Sequence, residues 1–94
     1  MLAIARFSVP LSDAGQFQAQ LEAARGALSE CAGYLDGESG QNLDDSTLWV
    51  LMTKWANVGS YRRALSSTRV KMEVIPLLAQ ALDEPGAYEN SQSQ

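Results

Sequence analysis

The sequence predicts an α+β domain of the ferredoxin-like, split βαβ kind, in which an antiparallel four-stranded sheet carries both helices on one face. Three observations lead there. The apolar pattern follows the order strand, helix, strand, strand, helix, strand. The 94 residues suffice for one small domain, expected over 1–89, with a polar tail at 90–94 that should fray. At 46% hydrophobic and 19% charged residues, the chain lies outside the composition range of disordered segments.

The opening run from Leu2 to Val9 is rich in strand formers and stopped by Pro10, which makes it the first strand. Asp13 follows as a helix cap, with Gln16 in capping-box position. Behind it Phe17, Leu21, Ala24, Leu28 and Cys31 recur at steps of four and three, the stripe of an amphipathic helix that Gly33 should end. From Tyr34 to Leu43 the chain is polar, as expected of a solvent-edged strand with a bulge at Gly37 or Gly40.

The turn Asp44-Asp45-Ser46 leads into Thr47 to Trp55, the most hydrophobic stretch of the protein, so the two strands should form a hairpin. Asn57 or Ser60 can cap a second helix with Val58, Tyr61 and Leu65 inward and Arg62 and Arg63 outward. Val70, Val74, Leu77, Leu78 and Ala81 then fall on helical spacing, although Val70, Met72 and Val74 also alternate like a strand. A short helix, a break near Pro76, one more turn and a final strand at Ala87 to Glu89 are expected.

Composition removes several classes of function. Seven Lys and Arg against eleven Asp and Glu give a net charge of −4, which repels phosphate backbones and anionic lipid, so neither nucleic acid nor membrane is an expected partner. With no histidine, Ser-His-Asp and Cys-His nucleophile systems and imidazole metal sites would need a residue from another chain. The single Cys31 can form neither an internal disulfide nor a cysteine-cluster metal site, and as part of the apolar stripe it is expected in the core. No apolar run approaches the roughly 18 residues of a membrane span, and the expected location is the cytoplasm.

The strand patterns also predict a partner. Trp49, Leu51, Thr53 and Trp55 share one side of the third strand, and Leu48, Val50 and Met52 the other, so both sides need cover. The chain's own helices can cover only one. A second copy packed on the bare sheet face would supply the rest, since hiding about 400 Å2 per copy contributes on the order of 20 kcal/mol before the costs of association. Arg6, inside the first strand, needs a carboxylate or carbonyl and is expected either to pair across that dimer or to aim into a pocket.

From Thr53 to Ser67 the chain resembles the antibiotic biosynthesis monooxygenase family, whose members end the third strand in an acidic or polar residue followed by Trp. They then open a helix with an aromatic residue about six positions on. Pro76-Leu77-Leu78 and Asp83-Glu84-Pro85 look like the same family's C-terminal stretch. The resemblance implies a dimeric α/β barrel and oxygenation of aromatic polyketide-like substrates, such as anthrones to quinones, with neither metal nor flavin as cofactor. It places Trp55 at the strand end and Tyr61 at the helix aromatic facing the cavity, as the catalytic candidates. Leu51 stands where the anthrone oxygenases carry Asn, a departure that removes a hydrogen-bonding group. Arg69 and Lys71 are both candidates for a basic residue on the third helical segment. The haem-degrading branch requires a helix Trp and a His, and this chain has Ala64 and no histidine.

Each of these residues also has a plainer role. Trp49 and Trp55 on a central strand can be core, and the basic cluster Arg62, Arg63, Arg69 and Lys71 can be a solvated helix face. Asp36 and Glu38, two apart on a strand, read as solvated carboxylates. The expected substrate-binding set is Arg6, Trp49, Leu51, Arg69 and Lys71. The expected function is a cofactor-independent monooxygenase on a small aromatic or quinonoid substrate. The alternative is a non-catalytic dimeric module that binds a small hydrophobic metabolite.

Overall fold

β1 (Leu2–Ser8) and β3 (Leu48–Trp55) run antiparallel at the centre of the sheet in the computed structural model, which describes residues 1–91. β2 (Tyr34–Gln41) pairs with the far side of β3, and β4 (Ala87–Tyr88) with β1, giving the order β2-β3-β1-β4 with every pairing antiparallel. The sheet is open at both ends. α1 (Ala14–Ser29), α2 (Val58–Leu65), α3 (Thr68–Glu73) and α4 (Ile75–Leu78) complete the expected ferredoxin-like order. The register sets Phe7 opposite Trp49 and Ala3 opposite Thr53, which gathers the helix-facing residues of both central strands into one layer.

The core lies between that layer and the helices. Phe7, Trp49, Leu51, Thr53 and Trp55 from the sheet are buried against Phe17, Leu21, Ala24 and Leu28 of α1 and Val70, Val74 and Leu77 of α3, α4 and their junction. The opposite sheet face carries Ile4, Leu48, Val50 and Met52, each half-buried, with no helix over it.

Several local expectations are corrected. Asp13 occupies the cap position of α1, yet its side chain makes no capping hydrogen bond. A 3-10 turn over Leu11–Asp13 already winds the chain, leaving Asp13 at φ −102, ψ 1 instead of the extended conformation that turns a cap side chain onto the first amides. α1 ends at Ser29, so Cys31 falls on the following turn, half-buried, its thiol 3.7 Å from the Ala27 carbonyl. Gly33 closes this turn at φ +88, where a Cβ would also stand 2.3 Å from the Ser60 side chain.

The bulge in β2 lies between Tyr34 and Asp36, at exposed Leu35, and at neither Gly37 nor Gly40. Gly37 meets a different demand: a Cβ there would stand 2.1 Å from the Tyr34 hydroxyl, so the tyrosine folds back across a bare backbone. In α2 the inward positions are Ser60 and Ala64, with Tyr61 and Leu65 half-buried. Val58 is exposed, because it lies one turn before Arg62 on the same helix face. The break in the last helical stretch falls at Val74, and Pro76 opens α4 in its first turn, where a missing N–H costs nothing. Val70 and Val74 are fully buried and Met72 is 73% exposed, which decides for helix over strand. Of the tail expected to fray, 92–94 lie outside the described residues.

Candidate functional site

The end of β3 and the start of α2 are locked together by backbone and cap. Trp55 N–H donates to the Met1 carbonyl at 2.9 Å, and Ala56 N–H donates to the Gly33 carbonyl at 2.8 Å. Asn57, extended at φ −162, accepts from the Ser60 amide at 2.8 Å and the Ser60 hydroxyl at 3.1 Å. Helix α2 therefore starts at a fixed angle to the sheet. Tyr61, in its first turn, packs on Trp55 with ring centroids 5.6 Å apart, and Tyr34 meets Trp55 edge-on at 5.4 Å and 90°.

Beside this aromatic cluster a small cavity of about 30 Å3 lies between the sheet and the helices. Ala3, Ile4 and Ala5 of β1 and Leu51 and Thr53 of β3 form its sheet side; Leu28 of α1, Tyr61 and Leu65 of α2 and Leu78 of α4 form the other. That volume admits one or two waters, each needing roughly 10–15 Å3. The wall is apolar except for two hydroxyls. Thr53 Oγ1 accepts a hydrogen bond from Trp55 Nε1–H at 2.8 Å. The Tyr61 hydroxyl has no hydrogen-bond partner among the described residues, and burial pushes its pKa above that of a free phenol. At neutral pH Tyr61 is consequently a neutral donor and a poor base.

The residues expected from sequence do not gather in one place. Tyr61 and Leu51 belong to the cavity wall. Trp55, 1% exposed, stands behind that wall and touches it through Thr53 and Tyr61. Trp49 sits at the opposite end of β3 in a separate cluster, 5.6 Å from Phe17, which is itself 5.1 Å from Phe7; its buried indole N–H has no partner among the described residues. Arg6 does not reach the cavity beside Tyr61 and does not wait for another chain; it borders a separate pocket of about 130 Å3 with Gly40, Leu48, Trp49 and Val50. It is exposed and grips Glu84 of the same chain with two hydrogen bonds, of 2.6 and 2.9 Å. The pairing holds the Glu84 carboxyl below the usual carboxylate range, chiefly through the hydrogen bond.

Arg69 donates to Glu73 at 2.6 Å and to Glu30, and it borders a different, wider groove of about 440 Å3 between the end of α1 and α2–α3, together with Cys31, Ser60, Arg63 and Ser67. Lys71 is exposed on α3. Sequence reasoning did not single out Thr53. Its signal was present: one hydroxyl amid three large apolar side chains on the buried face of a strand. Among the described residues no three Asp, Glu or Cys side chains come close enough to hold a metal ion, and no helix is long and apolar enough to cross a membrane.

The sequence profile of the antibiotic biosynthesis monooxygenase family matches residues 1–72. Among solved structures, a mutant of SnoaB, a cofactor-independent oxygenase from Streptomyces nogalater, superposes with a TM-score of 0.83 at 18% identity, covering 98% of this chain and 93% of its own. A candidate antibiotic biosynthesis monooxygenase from Deinococcus radiodurans gives 0.80 at 17% identity over 99% and 94%. A conserved protein from Methanosarcina mazei Go1 gives 0.74 at 20% identity over 92% and 84%. At these identities the likeness is one of fold. No curated protein sequence matches the chain.

Proposed function

Because the chain belongs to the antibiotic biosynthesis monooxygenase family, we propose that it is a cofactor-independent monooxygenase acting on a small aromatic, polyketide-like or quinonoid substrate in the cavity beside Tyr61. The observation that carries this reading is the Tyr61 phenol, half-buried in an apolar wall, without a partner and kept protonated by its surroundings. An electron-rich phenolic substrate reduces oxygen by itself once it has lost a proton. In the net change an aromatic-flanked CH2 and O2 become C=O and H2O, with all electrons supplied by the substrate. The protein has only to bind the substrate, stabilise its anion and exclude water. Tyr61 suits the second task as a donor, and Trp55 fixes the plane of its ring.

An aromatic ring needs a void of about 150 Å3, so the substrate enters as the wall yields. Leu65, at the end of α2, and Leu78, on the one-turn α4, are the wall residues carried by the shortest elements. The working unit in this reading is a homodimer through the sheet face of Ile4, Leu48, Val50 and Met52, which the chain's own helices leave bare.

Oxygen uptake with anthrone-type phenols tests the proposal. Wild type should consume oxygen, and Tyr61→Phe should lose most of the rate. A second reading, a non-catalytic module for a small hydrophobic metabolite, is favoured by Leu51, which makes the wall apolar at a position where the resemblance leads one to expect Asn. Quenching of tryptophan fluorescence by the same phenols with no oxygen consumed would decide for it.

A further inference from the structure

Thr53 is 2% exposed and belongs to the cavity wall, and its hydroxyl is only half used. A hydroxyl offers one donor and two acceptor sites. Trp55 Nε1–H, which can only donate, occupies one acceptor site at 2.8 Å. The O–H of Thr53 finds no acceptor among the described residues. A buried donor is seldom left without a partner, and a hydroxyl that already accepts a hydrogen bond donates a stronger one. Among the residues of the wall only the Tyr61 hydroxyl is a side-chain acceptor, and Thr53 makes no hydrogen bond to it. The Trp55 indole N–H is in turn unavailable to a ligand, because Thr53 already accepts it.

We propose that Thr53 is the ligand-orienting group of this cavity: held by the Trp55 indole, its hydroxyl donates to the carbonyl or phenolate oxygen of a planar apolar ligand. Trp55 is then a positioning residue that acts through Thr53. The inference rests on the cavity being the ligand site, and extends the reading above by giving the ligand an oxygen that must face β3. Since Leu51 has no donor to offer, Thr53 two residues further along the same strand face supplies one.

Two probes that differ by one group test this, 1-tetralone and tetralin, which share a bicyclic frame with and without an acceptor carbonyl. Binding is followed by quenching of tryptophan fluorescence. Wild type should prefer 1-tetralone, and Thr53→Val, of nearly the same shape, should weaken 1-tetralone by about tenfold while leaving tetralin unchanged. Thr53→Ser should keep the preference, which separates the hydroxyl from any general loss of packing. Trp55→Phe should reduce the preference without abolishing it, because the freed hydroxyl still donates but is no longer aimed. Equal weakening of both probes in Thr53→Val, no change in either, or a wild type that binds no 1-tetralone at millimolar concentration would overturn the proposal. If the preference depends on Thr53 while anthrone-type phenols provoke no oxygen uptake, the orienting role stands and the monooxygenase reading falls. If oxygen is consumed and Thr53→Val alters neither uptake nor preference, the reverse holds.

Discussion

Tyr61 joins the packing of the cavity wall to the chemistry proposed for it, and its titration makes that packing measurable. Burial raises its pKa, as it does for Tyr34, so between about pH 10 and the folded value the unfolded chain has released protons that the folded chain still holds. Stability should be level from pH 7 to 9 and fall above pH 10. Urea midpoints measured against pH should show a shallower fall in Tyr61→Phe, with Tyr34 accounting for the remainder. At this scale the sequence was legible where period alone decides. Trp55 and Leu51 could be placed on the helix-facing side of β3 by alternation. Arg6 could not be paired, since its partner Glu84 lies 78 residues away and is joined to it only by the path of the C-terminal segment. Nor could Thr53 be recognised, because what marks it is the direction of the Trp55 indole.

Elements were legible where a local rule and tertiary packing agree. The β2–β3 hairpin and α2 meet both conditions, with polar turn residues or a cap at the boundary and a patterned run behind it. Asn57 should accordingly contribute to folding through its cap: Asn57→Ala is expected to lower stability by about 1 kcal/mol, read as a shift in urea midpoint at unchanged slope. The same change should loosen Tyr61 against Trp55 and shift tryptophan emission to the red. The last helical stretch was harder to read because two signals conflicted there. Proline suggested interruption, whereas its place in the first turn of α4 lets Val74 end one helix and introduce the next, with Val70, Val74 and Leu77 all buried. The bulge in β2 was misplaced for a related reason: glycine invited it, but close approach of the Tyr34 hydroxyl claims Gly37.

On the scale of the whole molecule, element order was enough for the topology, because few arrangements of two helices and four strands avoid crossed connections. The size of the cavity had no such signature, being what remains after side chains from five elements have packed. The bare sheet face carries the clearest prediction. Light scattering after size-exclusion chromatography at micromolar concentration should give twice the 10.2 kDa chain mass, and Val50→Glu, which places a charge at the middle of that face, should give the single chain with the fold retained by circular dichroism.

The C-terminal segment covers the outer flank of β1 with few bonds: Leu82 N–H to the Arg6 carbonyl at 2.8 Å, Ile4 N–H to the Gly86 carbonyl at 2.6 Å, and the two-residue pairing of β4. It works as a selvedge. Cut away after Ala81, it would leave β1 with raw backbone amides and carbonyls along its length, a template on which further chains could knit without end. A chain shortened at that point should turn thioflavin T fluorescent within hours of concentration, while the intact protein stays dark.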